Sequence, residues 1–360
     1  MTDQRAPSGV GYAGGHDARV TRVTQVDAQP QPAHTLLPPS CHRRASRSHL
    51  MDVADLLRHR PPVALVVNTG SRRGRDALDG ARAVLASRGS AVRVHVVGPG
   101  AREDLGTVLD RAVAQRPALL VVGGGDGTVA AAADRVAGTG VVLAVLPMGT
   151  ANDLARTLEL PTDPVVALRA GLAGRVVDVG LGRADGRAFL NVASTGLSVS
   201  AAAYAVATVR AYRHHRPFAA RLELLDAAGT VERVVELDDL LQLSVGNGRH
   251  FGGGNTVAPH ASLDDHLLDV HAIGQGRLHE HLSVARLLRS GRLVERDRVV
   301  HLTTRAVRVV TDEPRPVNVD GELLPARTST TYVVEWNAVH VAVPRHSRAA
   351  RLDEPLRRTS

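Results

Sequence analysis

The stretch Val121-Val122-Gly123-Gly124-Gly125-Asp126-Gly127-Thr128 decides the fold of this chain. The apolar run at residues 118–122 is typical of a buried strand. Residues 129–136 are almost all Ala and Val and predict a helix directly afterwards. The glycines therefore lie where a strand turns into a helix, a place where backbone N–H groups and the helix dipole can bind phosphate.

The chemistry of this loop suits a nucleotide. Its glycines carry no side chains, so phosphate oxygens can approach the backbone closely. Asp126 adds a carboxylate that can reach a magnesium ion. We therefore predict a nucleotide phosphate site at residues 123–128.

Strands and helices alternate on both sides of this loop, with short connections. Such alternation argues for a parallel sheet covered by helices, in which ligands gather at the carboxyl ends of the strands. The predicted strands are residues 63–68, 91–97, 118–122 and 141–147. The predicted helices are residues 74–87, 101–114, 129–136 and 150–158.

Beyond residue 175 the pattern changes to short strand-like segments, interrupted by two predicted helices at 198–212 and 278–288. This pattern favours a mainly antiparallel second domain. The predicted fold class is thus α/β plus mainly β. The predicted divisions are a disordered tail at 1–50, an α/β domain at 61–175, a β-rich domain at 176–317, a closing segment at 318–345 and a basic tail at 346–360.

Composition narrows the range of partners. The net charge of +8 suits a phosphate-bearing ligand or an anionic membrane surface. Aromatic residues make up only 2% of the chain, which disfavours nucleic acid, because its grooves usually add stacking aromatics. No run approaches the ~20 apolar residues of a membrane span, and the N-terminus lacks a signal-peptide core, so we expect a cytoplasmic protein.

Cysteine and histidine offer little metal chemistry at the level of sequence. The single cysteine, Cys41, excludes an internal disulfide and a cysteine-based zinc site. The 17 histidines show no HExxH motif or other metal-binding spacing.

A second loop follows the fourth predicted strand and carries Gly149, Thr150, Asn152 and Asp153. One interpretation is structural, with Thr150 as the N-cap of a helix and Asp153 in its first turn. The other interpretation is functional, because a parallel sheet would place Gly149, Thr150 and Asn152 beside the first loop. A third loop, residues 68–75, is either a turn with a solvated charge run or a source of phosphate contacts from its arginines.

Two motifs at a defined spacing resemble a known family. Gly-Gly-Asp-Gly-Thr at residues 124–128 is followed about twenty residues later by Pro-Met-Gly-Thr-Ala-Asn-Asp-Leu-Ala-Arg at 147–156. The pair is similar to the diacylglycerol kinase catalytic-domain family, which includes bacterial lipid kinases and, more distantly, sphingosine and ceramide kinases. The resemblance spans about residues 62–345 and includes Asn-Val-Asp-Gly-Glu at 318–322.

The resemblance implies an antiparallel β-sandwich as the second domain and ATP- and Mg²⁺-dependent phosphoryl transfer to a lipid hydroxyl, with diacylglycerol giving phosphatidic acid. It implies a peripheral encounter with lipid at a membrane surface and leaves the oligomeric state open. Two alternatives are a small-molecule kinase similar to NAD kinase and a non-catalytic nucleotide or lipid sensor. Pro-Met-Gly-Thr-Ala-Asn-Asp disfavours the former, and Asp-Gly-Glu disfavours the latter.

Carried over residue by residue, the resemblance implies the following site. Asp126 acts at the Mg²⁺–phosphate centre, and Glu322 is the base that takes the lipid hydroxyl proton. Without the resemblance, Asp320-Gly321-Glu322 would be interpreted as a hairpin turn with exposed carboxylates. A structural magnesium is implied at Asp265, Ser262 and Leu267. The implied ATP-binding residues are Asn68, Gly124, Gly125, Asp126, Gly127, Thr128, Val129, Ala130, Ala131, Gly149, Thr150 and Asn152.

Overall fold

The computed structural model describes residues 20–25, 51–70, 73–196, 216–247, 250–251, 255–256, 267–275 and 299–352. The strands are β1 (Val20–Gln25), β2 (Val63–Asn68), β3 (Val92–Val97), β4 (Leu119–Gly124), β5 (Val142–Pro147), β6 (Arg175–Ala184), β7 (Arg187–Phe189), β8 (Val192–Gly196), β9 (Phe218–Leu225), β10 (Val231–Gly246), β11 (His250–Phe251), β12 (Asn255–Thr256), β13 (Leu268–Gly274), β14 (Val299–Thr304), β15 (Ala306–Val319) and β16 (Glu322–Val343). The helices are α1 (Val53–Leu56), α2 (Gly74–Ser87), α3 (Leu105–Ala114), α4 (Asp126–Val136), α5 (Asp153–Thr157), α6 (Pro164–Leu172) and α7 (Arg348–Leu352).

The chain divides into two compact units. The α/β unit comprises Pro39–Leu181, Ser262–Asp264 and Trp336–Ser360. The β unit comprises Met1–Pro38, Gly182–Ala261 and Asp265–Glu335.

The α/β unit contains a parallel sheet in the order β5-β4-β2-β3. On the other side of β5, the last part of β16 pairs in parallel, with His340 opposite Val142. Every residue of β4 and β5 is buried, as expected for strands covered on both faces by helices. The predicted parallel, helix-covered sheet is confirmed.

One face of this sheet shares a core with the surrounding helices. Leu65 of β2 and Val121 of β4 belong to the same buried cluster as Leu85 of α2 and Leu168 of α6. Ala342 of β16 completes this cluster. The core is made of Val, Leu and Ala, since the chain has few aromatic side chains to supply.

Three helix boundaries differ from those predicted from apolar periodicity. α3 begins four residues later than expected, since the Asp104 side chain caps it by accepting a hydrogen bond from the Thr107 N–H at 3.0 Å. α4 begins at Asp126, three residues earlier than expected. α5 is confined to Asp153–Thr157.

The β unit is antiparallel and is organised around its longest strands. β10 pairs with β1, β8, β9 and β13, and β15 pairs with β8, β9 and β16. β14 continues the sheet beyond β13. The longest strand but one is β10, and its residue Asp239 adopts a positive φ of 53°. The predicted mainly antiparallel second domain is confirmed.

One strand lies in the predicted disordered tail. β1 pairs with residues 233–237 of β10. Four of its six residues are Val or Thr, which suits a strand, and β10 supplies the hydrogen-bonding partner that the local composition could not reveal. Disorder is thus not the state of Val20–Gln25.

Two predicted elements, the helices at 198–212 and 278–288, lie outside the described residues. Among the residues that the structure describes, no helix combines the length and apolar character needed to cross a bilayer.

Candidate active site

The loop after β4 leads into a helix that has no side-chain cap. Gly125 is the N-cap of α4, in an extended conformation with φ −86° and ψ −177°. The hydrogen bond of the first turn runs from the Val129 N–H to the Gly125 carbonyl at 3.1 Å. The N–H groups of the preceding helical residues have no acceptor within the helix. Backbone donors and the positive end of the helix dipole are therefore presented where this loop ends.

The glycines of this loop have different spatial roles. A Cβ on Gly124 would lie 2.4 Å from the Cβ of Thr128, and one on Gly149 would lie 2.6 Å from the Cα of Gly125. Glycine is therefore required where the β4 and β5 loops meet backbone to backbone. A Cβ on Gly127, by contrast, would have no heavy atom within 4 Å. Gly127 is exposed and leaves open space at the start of α4.

The loop after β5 is closed by Asn152. The Met148 N–H donates to the Gly124 carbonyl at 2.9 Å, which links this loop to the first one. Asn152 adopts the left-handed conformation, with φ 51° and ψ 47°. Its Oδ1 accepts from the Gly149 N–H at 2.8 Å, and its Nδ2 donates to the Gly149 carbonyl at 2.7 Å.

The expected N-cap at Thr150 is wrong. Asn152 occupies that position instead, and Thr150 is exposed in the loop. The physical reason is that Asn tolerates the left-handed conformation, while its amide satisfies both backbone groups of Gly149.

Asp126 connects the two loops through its half-buried carboxylate. Burial raises the pKa of Asp126, and the negative charge of Asp153 raises it further. The backbone N–H groups of Leu154, Asn152 and Asp153, at the N-terminus of α5, offset this rise only in part. Asp153 itself is 6% exposed. Two carboxylates held in this way favour a cation beside them.

Asn68 closes the third loop, at the end of β2. Its Oδ1 accepts from the Gly70 N–H at 3.0 Å, and the neighbouring Thr69 N–H donates to the Val97 carbonyl at 2.7 Å. Because β2, β4 and β5 are parallel neighbours, their loops lie at the same edge of the sheet. Arg73 and Arg75 are exposed at the start of α2, and Arg72 lies outside the described residues.

The predicted nucleotide contacts fall into three classes of burial. Gly124, Thr128, Val129 and Ala130 are buried, so the side chains of Val129 and Ala130 pack in the core. The half-buried residues are Asn68, Gly125, Asp126, Ala131, Gly149 and Asn152. Gly127 and Thr150 are exposed. The uncapped start of α4 and the open space at Gly127 fit a nucleotide phosphate. The carboxylate oxygens of Asp126 fit the divalent cation that accompanies it.

In the β unit, Asp-Gly-Glu forms the hairpin turn between β15 and β16. Asp320 and Gly321 both have positive φ, 44° and 98°, as a two-residue type I′ turn requires. Val319 pairs with Glu322 across the turn. The hairpin interpretation of this motif is therefore confirmed, and Glu322 is the first residue of β16.

Asp320 binds a distant segment of the chain. Its carboxylate accepts from the backbone N–H groups of Leu190 at 2.7 Å, Asn191 at 3.2 Å and Val192 at 3.0 Å. This contact lies at residues 190–192, where β7 ends and β8 begins. The sequence motif suggested no role for Asp320, because its partners lie about 130 residues earlier.

Glu322 forms an ion pair with Arg187 of β7. The two side chains are 58% and 50% exposed, so the carboxylate is accessible from solvent. Sequence reasoning missed Arg187, which lies 135 residues away and outside any motif. The implied structural magnesium site has no described geometry, because Asp265 and Ser262 lie outside the described residues and only Leu267 lies within them.

Comparison with known proteins shows the family of this chain. Residues 62–184 match the diacylglycerol kinase catalytic domain, and residues 176–343 match the YegS C-terminal NAD kinase beta sandwich-like domain. A "Probable lipid kinase YegS-like" of Pseudomonas aeruginosa (strain PAO1) is 32% identical over 313 residues, which are 81% of this chain and 97% of the relative. The chain belongs to the YegS-like lipid kinase family.

This YegS-like lipid kinase is also similar to a second relative and to a solved structure. A "Diacylglycerol kinase" of Staphylococcus carnosus (strain TM300) is 28% identical over 223 residues, covering 59% of this chain and 72% of the relative. The crystal structure of a diacylglycerol kinase from Bacillus anthracis str. Sterne has a TM-score of 0.61 at 22% identity, over 78% of this chain and 96% of that one. At this identity the structural likeness shows the fold.

Proposed function

We propose that this YegS-like lipid kinase transfers the γ-phosphoryl group of ATP to a lipid hydroxyl with the help of Mg²⁺. Diacylglycerol is the proposed acceptor and phosphatidic acid the product. The observation that carries this proposal is the junction of the β4 and β5 loops, where an uncapped helix start and the Asp126 carboxylate lie together. A relative named as a diacylglycerol kinase supports the choice of acceptor.

The loops of the α/β unit bind the nucleotide in this proposal. The N–H groups at the start of α4 donate to phosphate oxygens, and Gly127 leaves the space through which these oxygens approach. Asn68, Gly149, Thr150 and Asn152 line the neighbouring loops at the same sheet edge. The positive charges of Arg73 and Arg75 favour the same anion.

Asp126 holds the cation. Its raised pKa shows that the ionised carboxylate is poorly stabilised by its protein surroundings. A divalent cation compensates that charge and the charge of Asp153. Bound Mg²⁺–ATP supplies the phosphoryl group and the neutralising charge that phosphoryl transfer requires.

Glu322 is the proposed base that accepts the proton of the lipid hydroxyl. Its carboxylate is exposed, and a carboxylate can act as a general base when it reaches the hydroxyl. Two contacts position it: Asp320 binds the hairpin to residues 190–192, and Arg187 pairs with Glu322 itself. As in the resemblance above, Ser262, Asp265 and Leu267 are proposed to hold a structural magnesium.

A peripheral encounter with the membrane completes the proposal. The net charge of +8 favours an anionic lipid surface. The acceptor would enter from such a surface, whereas the nucleotide would come from solution.

The test is incubation of the purified protein with labelled ATP, Mg²⁺ and vesicles that contain one candidate acceptor each. Diacylglycerol, monoacylglycerol, phosphatidylglycerol, a sphingoid base and ceramide form the panel. We expect a labelled product with diacylglycerol and its loss in Glu322→Gln. Glu103→Gln is the matched control, because Glu103 is also exposed and paired with an arginine, Arg111.

Each outcome of this assay is decisive. Labelling of another lipid would retain the kinase and reject diacylglycerol. Labelling of NAD alone would favour the NAD kinase alternative, and ATP binding without transfer to any acceptor would favour the sensor. Near-normal turnover by Glu322→Gln would reject Glu322 as the base.

A further inference from the structure

Three side chains on β13 and β14 form a cluster that the proposed kinase chemistry does not use. Asp269 and His271 belong to β13, and His301 belongs to β14. One ligand atom from each side chain lies within 4.8 Å of the other two. We propose that Asp269, His271 and His301 bind a divalent transition-metal ion, with Zn²⁺ the ion that fits best.

The antiparallel register brings these residues together. His271 lies directly opposite His301, and directly opposed residues project from the same face of a sheet. Asp269 lies two residues before His271 on the same strand, so it shares that face. The two imidazole rings stack, with centroids 4.5 Å apart and an interplanar angle of 18°.

An unsatisfied nitrogen points to a missing ligand. His271 is 2% exposed, and its Nε2 has no hydrogen-bond partner among the described residues. A buried polar atom without a partner costs about 1–3 kcal/mol, and a metal bond would remove that cost.

The Asp269 carboxylate is also buried, and it already partners a histidine. Asp269 is 6% exposed, and its Oδ1 lies 2.6 Å from Nε2 of His301. The His301 side chain is 24% exposed, which leaves access for the ion and for a water molecule as the fourth ligand. Two imidazole nitrogens and one carboxylate oxygen form a donor set typical of three-ligand zinc sites.

Binding requires a local rearrangement of side chains. Stacked rings cannot both direct a lone pair at one ion, so His301 must rotate and give up its hydrogen bond to Asp269. Donor atoms of a tetrahedral zinc site lie about 3.3 Å apart, given zinc–ligand distances of about 2.0 Å. His301 is partly exposed and lies on β14, which is the edge strand next to β13 in the described sheet. Its ring therefore has the freedom to move.

Ligand chemistry separates this site from the magnesium chemistry of the kinase. Mg²⁺ prefers oxygen donors and keeps most of its waters, whereas imidazole suits zinc and its neighbours in the transition series. The proposal does not depend on phosphoryl transfer. Its test therefore uses binding and spectroscopy rather than activity.

The experiment is calorimetric titration of untagged, chelator-treated protein with Zn²⁺ in a buffer that contains excess Mg²⁺. We expect one tight site per chain. His301→Gln and His271→Leu each remove one of three protein ligands and should weaken the site by at least about 100-fold, since losing even an indirect partner costs about 10–100-fold. Circular dichroism checks that each variant is folded.

His340→Gln is the matched control. His340 also pairs with a carboxylate, Asp178, at 2.5 Å, but it is absent from the three-residue cluster. This variant should retain the tight site. Co²⁺ bound to the wild-type protein should show the intense visible absorption of tetrahedral coordination, a result that does not depend on the folding of any variant.

Two results would overturn the proposal. The first is the absence of a tight zinc site in the wild-type protein. The second is undiminished affinity in folded His271→Leu and His301→Gln proteins, which would assign the zinc to other histidines among the 17 in the chain.

Discussion

The Asp320 carboxylate accepts a hydrogen bond from the Leu190 N–H at 2.7 Å, although 130 residues separate the two in sequence. The same carboxylate binds the N–H groups of Asn191 and Val192. The turn that presents Glu322 is thereby tied to the segment between β7 and β8. In this motif the aspartate positions the hairpin, and the glutamate is left exposed at the start of β16.

Asp320→Ala should therefore destabilise the β unit. Three backbone N–H groups on buried residues would lose their acceptor, with an expected cost of about 2–3 kcal/mol in the free energy of unfolding. Asp320→Asn should lose less, because Asn retains an acceptor and tolerates positive φ. Urea unfolding monitored by circular dichroism measures both values.

The control for this prediction is Asp226→Ala. Asp226 also accepts from two backbone N–H groups of a turn, Ala228 and Thr230, but neither residue is buried. Its loss should cost about 1 kcal/mol or less. Equal losses at Asp226 and Asp320 would contradict the assigned role.

Gly127→Ala should separate stability from nucleotide binding. The added Cβ meets no protein atom within 4 Å, and Ala favours a helix over Gly by up to about 1 kcal/mol, so stability should hold or rise. ATP affinity should fall, because the methyl group occupies the space proposed for phosphate. Calorimetric titration with ATP and thermal unfolding measure the two effects.

Gly106→Ala tests the same helix position away from the site, since Gly106 is the second residue of α3 as Gly127 is of α4, although its added Cβ would lie 2.9 Å from Asp104 Oδ1 and from Arg135 Nη2. It should leave ATP affinity unchanged. If Gly127→Ala binds ATP as tightly as the wild type, the start of α4 is not the phosphate site.

Asp126→Asn should abolish kinase activity without loss of stability. The raised pKa of Asp126 means that the folded state disfavours the ionised carboxylate. The free energy of unfolding therefore increases as pH falls through the pKa that Asp126 has in the folded state. Neutral Asn removes the repulsion with Asp153 at every pH. The unfolding midpoint near pH 7 should therefore hold or rise.

Asp163→Asn provides the comparison, because Asp163 also binds a helix N-terminus, through the N–H groups of Val165 and Val166. It should keep full activity and lose up to about 1 kcal/mol of helix-dipole stabilisation. An active Asp126→Asn enzyme would remove Asp126 from the proposed metal centre.

His340 should make stability depend on pH. The hydrogen bond from His340 Nδ1 to Asp178, supported by the charge of that carboxylate, raises the pKa of His340 against the effect of burial. The protonated ring therefore favours the folded state. Its stabilisation is fully present below the unfolded pKa of about 6.5 and is lost as pH rises through the folded pKa.

The measurement is the unfolding midpoint of wild type and His340→Gln across this pH range. The difference between the two should be largest at the acidic end and should shrink as pH rises. His346→Gln changes an exposed histidine of the same segment and is measured beside it. A difference that grows with pH would contradict the assigned direction.

Local sequence was sufficient for the α/β unit. β2, β4 and β5 are apolar runs bounded by glycine or polar loops, and their ends agree with the predicted ones to within two residues. The phosphate loop was recognisable because glycines between a strand and a helix have few other uses. Helix ends were less predictable, since Asp104 sets the start of α3 through a side-chain hydrogen bond that apolar periodicity does not record.

Sequence by itself thus determined the parallel sheet, the loops at its carboxyl edge and the family to which the chain belongs. Only the tertiary structure decided which residues far apart in the chain come into contact. These are the hydrogen bond of Asp320 with Leu190, the ion pair of Glu322 with Arg187 and the strand pairing of His271 with His301. The physical reason is the range of the interactions. Strand and helix propensities act over a few residues, whereas antiparallel pairing and ion pairs bring together segments whose separation in the chain carries no signal.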